Sequence, residues 1–323
     1  MSADPELLKG VSRSFYLSIR ALPKEVREPV ALAYLLARTT DTIADTSHIE
    51  VALRLRMLAD AAAAIQGQEN EVARGLLERF APAQGNEPER RLIESFDLLL
   101  QNLRTLAPAD HADVRVLLAT ITRGQELDLS RWDGKLSALP TANDLREYTY
   151  LVAGCVGEFW TRLCFRKAAG FSARAEAEML ELGRRYGSGL QLVNILRDAG
   201  EDLRAGRCYF PEDELKEAGV TLQDLANAPA AFTPVYQRWI EEARLGLDAG
   251  LEYCIAIHPP RIRIASALPA LLGVRTLQLL KESGVAALQT RLKVPRSEVH
   301  KLMASAAITL ANPTRLRSLR ARL

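Results

Sequence analysis

Helical spacing recurs throughout this 323-residue chain, and the alternation of apolar and polar residues that marks strands never lasts more than a few positions. Ala, Leu, Arg and Glu dominate and β-branched runs are few, so local preference agrees with the periodicity and an all-α fold is expected. Pro23 opens "PKEVREPVALAYLLARTTDTIAD" at a first-turn position. "SHIE" (47–50), "TLQD" (221–224) and, more weakly, "TAND" (141–144) have the spacing of capping boxes. Breaks are expected at 80–88, 106–111, 132–140, 204–213, 227–234 and 257–262, each carrying Pro or Gly with polar residues. None is long enough for an interdomain linker and no period repeats. Residues 1–323 therefore read as a single domain, one bundle of about ten helices around a central apolar cavity.

Composition limits the partners. An apolar content of 48% suffices for a core, and 42 basic against 40 acidic residues leave a net charge of +2, with no strong field drawing the chain to nucleic acid. Cys155, Cys164, Cys208 and Cys254 form no C-x-x-C pair, so structural zinc is not expected and free thiols in a reducing cytoplasm are. The start "MSADPELLKG" lacks the charged and apolar regions of a signal peptide, and the run "IASALPALLGV" (264–274) falls short of a membrane span. A cytoplasmic monomer is expected. The ending "PTRLRSLRARL" offers a short amphipathic segment for peripheral membrane contact during product release, beside the plainer reading of a solvated tail.

Two acidic helices carry the chemistry. In "GLQLVNILRDAGED", Gln191, Asn194, Asp198 and Asp202 fall within about 80° of one helix face. In "YLLARTTDTIADT", Tyr34, Arg38, Asp41 and Asp45 fall within about 60°. A single D-x-x-x-D arises easily on a solvated face, but two of them, both flanked by Leu, Ile, Val and Ala, imply carboxylates compensated by something cationic. Oxygen-only carboxylates without His or Cys suit Mg²⁺, which completes its shell with waters and phosphate oxygens. Four such aspartates across a bundle would hold magnesium ions and a diphosphate, and an apolar cavity would take the tail of the substrate.

At these residues the sequence resembles the squalene and phytoene synthase family, head-to-head prenyl transferases with an all-α isoprenoid synthase fold. "SRSFYLSIRALP" (12–23) is similar to the family's N-terminal S-R-S-F segment, "RTTDTIAD" (38–45) to its first aspartate motif and "YTYLVAGCVGEF" (148–159) to its central helix. "QLVNILRDAGEDLRAGRCYFPEDEL" (191–215) is similar to its second aspartate motif and the flap after it. The resemblance implies that Asp41, Asp45, Asp198 and Asp202 are the Mg²⁺-diphosphate ligands, supported by Gln191 and Asn194. It implies that Ser12, Arg13, Phe15, Tyr34, Arg38 and Arg197 contact the diphosphates or the first prenyl chain. Tyr148 matches the tyrosine that handles a proton or stabilises a carbocation; its own sequence context favours a core residue with a satisfied hydroxyl.

Many squalene synthases carry a further carboxylate where this chain has Ala44 and Thr46; Glu126 and Asp128 are candidates to supply others, and an exposed helix face is their alternative. "RLKVPRSEVHKLM" (291–303) resembles the basic flap linked to NADPH phosphate binding in the squalene synthase branch, which makes Lys293 and Arg296 the nicotinamide candidates. The expected reaction is condensation of two farnesyl diphosphates to presqualene diphosphate and NADPH-dependent conversion to squalene. The alternatives are a synthase that makes presqualene diphosphate, hydroxysqualene, dehydrosqualene or phytoene without NADPH, and, in another class, a non-catalytic helical interaction protein.

Overall fold

The computed structural model describes residues 5–12, 15–68, 75–132, 135–290, 292–295, 297–299 and 316–318. Arg13, Arg296 and most of the arginine-rich ending lie outside them. The described chain groups into two compact units, one comprising residues 1–131 with 166–168 and the other residues 132–165 with 169–323.

The first unit contains α1 (Pro5–Ser12), α2 (Phe15–Ala21), α3 (Lys24–Asp45), α4 (Val51–Ile65), α5 (Glu87–Glu94), α6 (Phe96–Arg104) and α7 (Pro108–Arg131). α3 starts one residue after Pro23, and Leu35, Leu36 and Ile43 on it are fully buried. α3 and α4 both pack on α7, and Arg115 of α7 ties itself to the end of α4 through the Gln66 carbonyl oxygen and side chain. The expected box at "SHIE" does not form: α4 begins at Val51, and its N-cap Glu50 makes no side-chain bond to the helix. The helix begins at the next residue, Val51, and its buried positions, Met57, Leu58, Ala61, Ala64 and Ile65, all follow the box.

The second unit runs through β1 (Ser137–Leu139), α8 (Ala142–Thr149), a π-helical turn (Tyr150–Gly154), α9 (Cys155–Lys167, all but its last two residues), α10 (Glu176–Arg204), β2 (Arg207–Pro211), α11 (Glu212–Glu217), α12 (Thr233–Ala256) and α13 (Pro260–Ser283). α10 is its spine, packed along α12 and also touching α13. The stretches 132–140 and 204–213, expected only as breaks, contain two short strands that pair in parallel, Ser137 with Arg207 and Ala138 with Cys208. They are too short to show an alternating period, which is why sequence pattern passes over them. β2 is fixed to α12 by an aromatic cluster in which Phe210 meets Phe232 edge to face at 4.8 Å and Tyr236 at 6.1 Å.

The "TAND" segment, the weakest of the three boxes by pattern, is a complete one: the Thr141 and Asp144 side chains each accept a bond from the other's backbone N–H. Thr141→Ala is therefore expected to cost about 1 kcal/mol, read as a Tm lower by a few degrees. "TLQD" makes the same reciprocal bonds ahead of a short 3₁₀ turn. Among the described residues, only the stretch Pro260–Leu288 is long and apolar enough to cross a membrane, and 61% of its most apolar window is buried inside the protein. All four cysteines are free and buried.

Candidate active site

α3 carries the first acidic face. Tyr34, Arg38, Asp41 and Asp45 lie along it as the spacing requires, but exposure rises toward its end: Arg38 and Asp41 are half-buried and Asp45 is exposed. The Tyr34 ring stacks on Phe15 of α2 at 5.8 Å, and its hydroxyl donates to the Val11 carbonyl oxygen at 3.2 Å. Ser12 is buried, with its hydroxyl donating to the Leu8 carbonyl oxygen at 2.5 Å.

The Arg38 guanidinium sits between two carboxylates. Nη1 donates to Asp41 and Nη2 donates to Glu89 of α5 at 2.7 Å. Burial alone would lower the Arg38 pKa; Asp41 and Glu89 outweigh it and hold the group above its usual value. Burial also raises the Asp41 carboxyl, Arg38 draws it back, and Glu89 and Asp128 push it up again, with a net shift upward. Asp128 of α7 thus belongs electrostatically to this face. Arg54 of α4 donates to the Ala44 carbonyl oxygen at 2.6 Å and lies in the field of Asp45, fixing the last turn of α3.

α10 carries the second face. Gln191, Arg197, Asp198 and Asp202 are half-buried, whereas Asn194 is exposed and reaches Gln191 at 3.5 Å. Arg197 donates from Nε to Asp198 at 2.9 Å, and this bond holds the guanidinium pKa above its usual value. The helix stops at Arg204; Gly206, at φ +83°, supplies the left-handed turn that only glycine adopts without strain. That turn sends β2 back along α10, so that Arg207 donates to Asp202 at 2.9 Å. Tyr209 follows, stacked on Tyr148 at 5.0 Å with the two hydroxyl oxygens 3.4 Å apart, and Trp132 meets Tyr209 edge-on. Ile195, Ala199, Asp202, Leu203, Arg207 and Tyr209 line a small concavity here.

Tyr148 is buried. The π-helical turn that begins two residues after it interrupts the α-helical ladder, a feature found disproportionately at functional sites.

Pattern reading did not single out Glu89, Arg54, Arg207, Tyr209 or Trp132. Arg207 stands five residues beyond Asp202 across a glycine turn, a signal available in principle; Glu89 lies in the first turn of the short helix α5, with none. The exposed Lys293 precedes a short segment tied to α13 by an ion pair between Arg275 and Glu298 at 2.6 Å. Arg13 and Arg296, the remaining site candidates, lie outside the described residues.

Among the described residues, no three His, Cys, Asp or Glu side chains converge into a site that could hold a metal ion. The donors on both faces are carboxylate oxygens in i, i+4 pairs, a set that fits an ion drawing much of its shell from water and phosphate.

The squalene/phytoene synthase family profile matches residues 8–298. The chain is 28% identical over 293 residues to the squalene synthase of Saccharomyces cerevisiae, covering 85% of this chain and 60% of that protein. It is 27% identical over 309 residues to the presqualene diphosphate synthase of Rhodopseudomonas palustris, covering 94% of this chain and 97% of that one. Among solved structures it is similar to TcSQS in complex with a ligand, with a TM-score of 0.76 at 23% identity over 99% of this chain and 91% of the other. The fold is thus the all-α isoprenoid synthase fold. The chain belongs to the squalene/phytoene synthase family. It spans about 60% of the length of the yeast squalene synthases it matches.

Proposed function

We propose that this protein is a magnesium-dependent prenyltransferase that condenses two farnesyl diphosphates head to head to presqualene diphosphate. The observation that carries this reading is the pair of acidic faces on α3 and α10, each with an arginine bonded to an aspartate beside an i, i+4 partner. Magnesium ions, when bound, neutralise the charge that develops on a departing diphosphate. Asp41 and Asp45 of α3 are oxygen ligands in this reading, as are Asp198 and Asp202 of α10. Arg38 and Arg197 already carry their charge at these aspartates and are the donors for diphosphate oxygens. Tyr148, buried with its hydroxyl toward Tyr209, holds or accepts a proton at its phenolic oxygen.

Further conversion to squalene with NADPH is the finer reading. It is supported by the S. cerevisiae relative and by the resemblance of residues 291–303 to the basic flap of squalene synthases. Lys293 alone among the described residues does not build a nucleotide site. The near end-to-end match to the R. palustris presqualene diphosphate synthase favours the shorter reaction as the second reading.

Products from farnesyl and geranylgeranyl diphosphate, with and without NADPH, resolved by mass spectrometry, separate the two. Squalene formed from farnesyl diphosphate only when NADPH is present is the expected result. The same products in both conditions would move the protein to the NADPH-independent branch.

A further inference from the structure

The structure assigns Glu89 as the positioning residue for Arg38, holding its guanidinium so that Asp41 can exchange an arginine partner for a magnesium ion. This assignment rests on the reading of Asp41 as a metal ligand given above. Glu89 comes from α5, 51 residues away from Arg38 in sequence, and meets Nη2 at 2.7 Å. Because a guanidinium is planar and rigid, fixing one Nη fixes the direction of the other donors. Nη1 then points at Asp41, while the Arg38 Nε–H is buried with no hydrogen-bond partner and remains as a cationic donor for an incoming anion.

Both carboxylates are needed by Arg38 for different reasons. A half-buried guanidinium that lost its only counter-ion would pay a large desolvation cost, so with Asp41 as sole partner it would cling to it and compete with a metal for the same oxygens. With Glu89 in place, the cation keeps a partner when Asp41 turns away. Glu89 therefore makes Asp41 available without touching substrate or metal itself.

The test needs no turnover. Inorganic pyrophosphate at fixed concentration is added to the protein, and the thermal shift is followed as magnesium is titrated. Glu89→Ala is expected to raise the magnesium concentration at half-maximal shift about tenfold, the usual scale for loss of a residue that orients a ligand. Glu89→Gln, which keeps the shape and one acceptor oxygen, guards against a folding defect and is expected to shift the midpoint in the same direction by less. If Glu89 acts through Arg38, adding Glu89→Ala to an Arg38→Ala protein leaves the midpoint where Arg38→Ala put it. An unchanged midpoint in both Glu89 variants, or a further shift in the double variant, overturns the assignment while leaving the functional reading intact. A wild-type protein that pyrophosphate and magnesium do not stabilise overturns the functional reading itself, and the assignment with it.

Discussion

Asp41→Asn and Asp198→Asn are each expected to lower pyrophosphate release from farnesyl diphosphate by about a hundredfold to a thousandfold, the scale for removing one charged contact that stabilises a departing anion. Neither variant is expected to unfold, because the apolar burial that holds α3 and α10 is untouched. For Asp41 the exchange also bears on stability. Asp41 has a raised pKa in the folded protein, so the folded state binds its proton more tightly than the unfolded chain does. Its contribution to stability is then fully present below the ordinary aspartate value of about 3.9 and is lost as pH rises through the raised value. At neutral pH, ionised Asp41 is a cost that Asn does not carry. Asp41→Asn should therefore melt no lower than wild type at pH 7, with any advantage shrinking as the melt is repeated toward pH of about 4. Near-normal release from either variant in saturating magnesium would remove that aspartate from the site, and gross unfolding would give it a structural role.

Gly200→Ala is expected to impair both stability and ligand binding. Gly200 lies on α10 between Asp198 and Asp202, and a Cβ there would stand 2.0 Å from the Leu288 carbonyl oxygen, a backbone atom with no rotamer to retreat into. Either α10 or the turn Gly284–Leu288 must shift, at a cost of about 1 to 3 kcal/mol or a Tm lower by several degrees. The shift falls on the turn of α10 that carries both aspartates. The magnesium needed for pyrophosphate to stabilise the variant should therefore rise as well. A variant that melts with wild type would show that the helix and the turn have slack the close approach does not suggest, and a lower Tm with unchanged magnesium dependence would uncouple the packing from the aspartates.

The parts of this protein legible in the sequence are those with a long period. α3 and α10 run for 22 and 29 residues, so their acidic stripes and apolar faces repeat often enough to stand out. Short features escape the same reading. The strands at Ser137 and Arg207 are three and five residues long, and their pairing is a tertiary event that places Tyr209 on Tyr148 without a local signal. The box at residues 47–50 fails for the converse reason: its letters fit a cap, but the buried positions of α4 begin after it. Glu89 was illegible because its meaning lies in Arg38, half a hundred residues earlier, and ion pairs between distant helices leave no spacing to detect. Asp128 is an intermediate case, since its motif pointed to acidity and only its position beside Asp41 joins it to the first face.

The most direct measurement is the stoichiometry of pyrophosphate release by the purified protein from farnesyl diphosphate, with products identified by mass spectrometry and magnesium either present or chelated. Joining two farnesyl diphosphates into presqualene diphosphate breaks one carbon–oxygen bond to diphosphate and keeps the other, so one pyrophosphate should appear per two substrates consumed. NADPH should release the second with squalene as product, and chelation should stop both. No pyrophosphate release in magnesium, or release accompanied only by fifteen-carbon alcohols, would contradict head-to-head condensation as the activity of this chain.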